Sequence, residues 1–124
     1  MTKAVVTIST IKGYANGAYA TGWNLDQFTE MLQTIEENKF GDSSISWLVT
    51  PGKAVYNTSW GAPKGGEDVF VLETDYTEYD ASKGIDIDNW KRKVYDHAEY
   101  LRCYFQQKTV RITFIDNVET TILR

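Results

Sequence analysis

The chain has 124 residues, one cysteine and a net charge of −4, with 42% hydrophobic and 24% charged residues. That is one domain's worth of an ordinary globular composition (residues 1–124), which excludes a disordered chain, a disulfide scaffold and a collagen-like fibre. No apolar run approaches the roughly 20 residues needed to span a bilayer, and the start carries no apolar signal core, so the expected location is the cytoplasm.

Ala4, Val6 and Ile8 alternate with Thr7 and Ser9 in the period of a half-buried strand. Asn16-Gly17 suits a type I′ turn, which predicts a hairpin over about 3–22 with Tyr14 opposite Tyr19 and Ala15 opposite Ala18. Asn24 and Gln27 have the spacing of a capping box, with Trp23 and Phe28 at the staple positions. Leu25, Phe28, Met31, Leu32 and Ile35 follow at helical spacing, and Gly41 closes that helix. Ile45–Val49 reads as a strand, Thr50-Pro51-Gly52-Lys53 as a type II turn and Ala54–Ser59 as the returning strand. Residues 60–66 carry three glycines and a proline and form the loosest stretch. Val69–Leu72 is a continuous apolar run, the pattern of a strand buried on both faces.

Asp86 or Asp88 caps a second helix, whose face is Ile87, Trp90, Val94, Ala98, Leu101 and Phe105. A last hairpin with a three-residue loop Ile115-Asp116-Asn117 sets Phe114 opposite Val118, Ile112 opposite Thr120 and Val110 opposite Ile122. The order ββ-α-βββ-α-ββ predicts an α+β fold, a mostly antiparallel sheet with two amphipathic helices packed on one face.

Chemistry is sparse. His97 and Cys103 are the only residues of their types and lie about 9 Å apart along one helix, too far for a thiolate–imidazole pair, and Cys103 reads as a packing residue. One His and one Cys do not make a zinc site. Asp80–Asp86 departs from a calcium loop, because glycine falls at the fifth position and Lys91 stands where the bidentate glutamate belongs. No phosphate-binding glycine motif occurs. The expectation is no catalytic residue, no metal and no cofactor.

Charge and aromatics are more informative. Residues 67–90 hold eight acids against Lys83, a local net of −7, while residues 91–124 hold seven bases and four acids. Four Trp, eight Tyr and five Phe exceed what the core positions use. Glu73, Asp75, Tyr76, Glu78, Tyr79 and Asp80 form an acidic–aromatic stretch suited to an arginine-rich partner through charge pairs and cation–π contacts. The leading expectation is therefore a non-enzymatic acidic protein that inhibits a basic, nucleic-acid-binding partner such as a nuclease. In size and charge it resembles small acidic inhibitors such as anti-CRISPR, antirestriction and immunity proteins. Direct nucleic-acid binding is disfavoured, because the aromatics lie beside acids. Two other readings stand: a phage or mobile-element subunit forming homo-oligomers, dimers among them, and a small-molecule (sugar or nucleotide) binding protein or enzyme. The last predicts a concave pocket with a few convergent polar groups beside the 60–66 loop as a lid.

Overall fold

The computed structural model describes residues 1–10, 14–15, 18–19, 22–121 and 123. Their elements are β1 (Lys3–Ile8), β2 (Tyr14–Ala15), β3 (Ala18–Tyr19), α1 (Leu25–Ile35), β4 (Leu48–Ala54), β5 (Glu67–Asp75), α2 (Glu78–Ser82), α3 (Ile87–Tyr104) and β6 (Arg111–Ile115). Four strands form one sheet in the order β4-β5-β1-β6, with every neighbour antiparallel. With α1 and α3 as the two crossovers, this is the β-α-β-β-α-β arrangement of ferredoxin-like folds. The expected α+β class, an antiparallel sheet with two amphipathic helices on one face, is what the chain adopts.

Alternation decides which side of the sheet is covered. Ala4, Val6 and Ile8 of β1 and Phe70 and Leu72 of β5 point at the helices and are buried. They meet Phe28, Leu32 and Ile35 from α1 and Trp90, Val94, Ala98 and Leu101 from α3. Phe28 stacks on Phe70 with centroids 4.2 Å apart and planes 7° from parallel. Helix α1 begins with the capping box the spacing predicts, Asn24 Oδ1 accepting from Gln27 N at 2.8 Å and Asn24 N donating to Gln27 Oε1 at 2.9 Å. Trp23 packs edge-on against Phe105, centroids 5.2 Å apart. The helix continues as a π-turn over Glu36–Phe40, and Gly41 ends it at φ 52°.

Three pairings expected from sequence are corrected. β1 does not fold back on residues up to 22; it pairs with β5 on one side and β6 on the other. The short β2–β3 pair does have Tyr14 opposite Tyr19 and Ala15 opposite Ala18, while the Asn16-Gly17 turn lies outside the described residues. The expected strand–turn–strand over 45–59 is one strand running straight through Pro51-Gly52, with Pro51 opposite Phe70 and Gly52 opposite Val69. β4 is an edge strand, so the missing N–H of Pro51 costs no ladder bond on its outer side. The C-terminal hairpin is also absent among the described residues. Asn117 takes the left-handed φ of 61° that a turn there demands, but Val118 N then donates to Met1 O at 2.8 Å. β1 takes β5 and β6 as its two neighbours, so the alternate side chains Ala4, Val6 and Ile8 are buried between them and the helices.

Candidate functional site

The acidic–aromatic residues divide between two elements. Glu73 and Asp75 lie on β5, and Lys3 of β1 sits between them, Nζ 3.7 Å from Glu73 Oε2 and 4.0 Å from Asp75 Oδ1. Tyr76 turns inward: its hydroxyl donates to Ile85 O at 2.6 Å and its ring packs on Trp90 at 5.7 Å. Glu78, Tyr79 and Asp80 open α2, where Asp80 Oδ2 accepts from both Thr77 N and Thr77 Oγ1 at 2.9 Å. That second capping box, Thr-x-x-Asp, is a sequence signal for a helix that charge and aromatic content alone do not show. Tyr79 is 67% exposed with Lys83 Nζ 5.4 Å from its ring centroid. Asp75, Tyr79 and Asp80 line a cleft of about 580 Å³ that also takes in Asp42, Lys83 and Lys93; Glu73, Tyr76 and Glu78 do not line it. The six residues are thus not one binding face. Lys3 faces Glu73 and Asp75, Lys83 lies over the Tyr79 ring, and Asp80 is engaged by the Thr77 cap.

A different set of polar side chains converges at the opposite end of the sheet, where β1 and β4 end and β5 and β6 begin. There Ser9, Tyr56, Glu67, Gln107, Thr109 and Arg111 line a cleft of about 440 Å³ with mixed polar and apolar walls. The register explains their convergence: Ala54 pairs with Glu67, and Thr7 pairs with Arg111, so the ends of four strands arrive together. Both signs of charge are present, Glu67 from β5 and Arg111 from β6, beside the phenol of Tyr56, which is 45% exposed. Loops frame the cleft, a usual place for binding residues on a rigid sheet.

Each loop has an identifiable anchor. The 60–66 segment rejoins the sheet through Gly66 at φ +94°, where a Cβ would stand 3.1 Å from Ala54 O and 3.3 Å from Lys53 Cβ. Only glycine fits that approach, and it delivers Glu67 directly into the strand. The α3–β6 connection is held by Arg102, whose Nη1 donates to Gln107 O at 3.1 Å while Gln107 N donates to Arg102 O at 2.9 Å. Arg102 is itself fixed by a bidentate bridge to Glu99, with contacts of 2.6 and 2.8 Å. The hydrogen bond from Arg102 holds the Glu99 carboxyl below the usual glutamate value, and the bond to Glu99 raises the Arg102 guanidinium. Gln106 supports the turn with a left-handed φ of 53°.

Elsewhere, Cys103 is exposed rather than packed, with Glu99 Oε1 as its neighbour at 3.7 Å. Among the described residues no group of His, Cys, Asp and Glu could hold a metal ion, and no helix is long and apolar enough to cross a membrane.

No protein-family model matches the chain, and no curated protein matches it. Among solved structures it is similar to a phage SAM lyase in complex with S-methyl-5′-thioadenosine. The TM-score is 0.62 at 14% identity, over 92% of this chain and 79% of that chain. The likeness is one of fold. It corrects the expectation of a non-enzymatic acidic inhibitor that is not an enzyme, because the architecture under the acidic stretch is one on which an enzyme is built. The physical reason for the misreading is on β5 and α2. Acids taken for one acidic–aromatic stretch are split between a strand paired to Lys3 and a helix cap.

Proposed function

We propose that this protein is an enzyme acting on a nucleoside sulfonium or thioether, with S-adenosylmethionine as the candidate substrate, in the cleft of Tyr56, Glu67 and Arg111. The observation that carries this reading is the presence of both charge signs and an aromatic ring in one cleft on this fold. S-Adenosylmethionine presents a carboxylate, two positive centres and a flat purine. Arg111 suits the carboxylate, Glu67 suits a cationic centre or a ribose hydroxyl, and Tyr56 offers a face for the purine.

The reaction class also fits what the sequence lacks. A sulfonium carbon already bears a neutral leaving group. The C–S bond breaks with its electron pair on sulfur while the substrate's own carboxylate or a water oxygen bonds to the carbon. The step therefore asks for positioning and placed charge rather than an activated protein nucleophile. A chain without a nucleophile–base pair is compatible with that demand. A cytoplasmic location belongs to the same reading, since a lone thiol suits a reducing compartment.

The test is calorimetric titration with S-adenosylmethionine and with S-methyl-5′-thioadenosine, followed by chromatography for S-methyl-5′-thioadenosine released from the former. Saturable binding of both is expected, with Glu67→Gln and Arg111→Ala each weakening S-adenosylmethionine by about tenfold, as for loss of one charge-assisted contact. No binding of either compound at millimolar concentration removes the reading. Binding unaffected by both substitutions moves the site elsewhere on the molecule.

A further inference from the structure

A second group of polar atoms lies at the other end of the sheet, and nothing in the reading above uses it. Where α1 passes into its π-turn, Glu36 points inward and is only 7% exposed. Its Oε1 accepts from Ile45 N at 2.8 Å and faces His97 Nε2 at 3.1 Å, although that contact is not aligned as a hydrogen bond. His97 is 2% exposed, stacked on Phe40 with centroids 3.5 Å apart, and its Nδ1 donates to Lys93 O at 2.8 Å. One face of the Glu36 carboxylate is therefore engaged and the other is not. Glu36 Oε2 is buried and has no hydrogen-bond partner among the described residues. The same holds for Nε1 of Trp47, just ahead of β4.

Both residues line one cleft of about 440 Å³, whose remaining walls are Leu32, Ile45 and Val49 together with the polar Thr29, Gln33 and Ser46. A buried acceptor and a buried donor left unmet each cost free energy, so two such atoms on residues that line one concave space of mixed polarity mark a binding site. The two atoms also define the ligand. An amine or metal ion would satisfy Glu36 Oε2 and leave the Trp47 indole without an acceptor; an anion would do the reverse. The occupant must carry a donor and an acceptor in one molecule, and the flat indole and branched aliphatic walls favour a planar ring.

We infer that this cleft binds a small heteroaromatic amine, donating an N–H to Glu36 Oε2 and accepting from Trp47 Nε1, as an aminopyridine or a nucleobase edge does. The site is separate from the Tyr56–Glu67–Arg111 cleft and does not depend on its ligand.

The indole N–H resonance of Trp47, assigned by its loss in Trp47→Phe, reports occupancy directly. Titration of the full chain with 2-aminopyridine and with adenine is expected to shift that resonance saturably. Pyridine, lacking the donor, and aniline, lacking the ring acceptor, should bind about tenfold more weakly. Glu36→Gln should weaken 2-aminopyridine to a similar extent; if that variant does not fold, Trp47→Phe, which keeps the ring, should weaken it in a fluorescence-independent calorimetric titration. Equal shifts with all four probes, no shift with any, or a crystal structure soaked with 2-aminopyridine that holds only ordered water between the two atoms would overturn the proposal.

Discussion

Replacing Tyr76 by phenylalanine separates a structural role for the acidic–aromatic stretch from a binding role. The substitution keeps the ring against Trp90 and removes only the hydroxyl that donates to Ile85 O at 2.6 Å. A single such bond contributes a net of about 1 kcal/mol, and somewhat more when the abandoned carbonyl stays out of water. Ile85 leads straight into Asp86, whose Oδ1 accepts from Asn89 N at 2.8 Å as the cap of α3, so the tether also fixes where the long helix starts. A domain of 124 residues unfolds with an entropy near 0.26 kcal/mol per kelvin by the usual per-residue value, roughly, so the expected drop in Tm is about 4 °C. Urea unfolding followed by tryptophan fluorescence gives the free energy, and calorimetry with S-adenosylmethionine gives the binding. Reduced stability with unchanged affinity is the expected pair of results. Wild-type stability together with lost affinity would refute the assignment of Tyr76 to the architecture.

The other predictions follow from single contacts. Phe28→Ala removes a ring that is fully buried between Phe70 and Phe105 and should cost about 3–5 kcal/mol in urea unfolding. Asp80→Ala breaks the cap of α2 at both Thr77 N and Thr77 Oγ1, with an expected loss of about 1 kcal/mol and faster amide exchange confined to residues 77–83. The lowered Glu99 carboxyl contributes to stability above the ordinary glutamate range, and that contribution is lost as pH falls through its depressed value. Glu99→Gln should therefore lower Tm slightly at neutral pH, the pair being exposed, and converge with the wild type in acid, which flattens the acid limb of a Tm-against-pH profile. It should also loosen the 105–110 connection, read as faster exchange of the Gln107 amide.

The two long helices were legible in the sequence because their signals are local, whereas the short α2 was missed although Thr77 and Asp80 carry its capping box. Asn24 and Gln27 cap α1 as their spacing requires, and Phe28, Leu32, Trp90, Val94 and Leu101 are buried on the faces their period assigns. Strand pairing was not legible, since it is set by what lies across the sheet. Pro51-Gly52 has the composition of a turn, and only the edge position of β4 lets it remain extended. Asn117 does turn the chain, but Val118 finds Met1 O instead of a returning strand. The acidic residues were visible as a composition and hidden as a geometry, because neither Lys3 across the sheet nor the Thr77 cap enters a count of charge. Tyr56, Glu67 and Arg111 are 55 positions apart from first to last in the sequence, and no spacing rule connects them before the strand ends are brought together.

The first strand, β1, is also an interior strand of the sheet. Lys3–Ile8 has β5 on one side and β6 on the other, so its inward side chains wait for both before they are sheltered. During synthesis at about 5–20 residues per second, β6 follows β1 by roughly 5–20 s. Through that interval a nascent chain carries an unpaired, alternately apolar segment. A chaperone that protects extended segments should engage this chain early, and release it only when Arg111–Ile115 has left the ribosome.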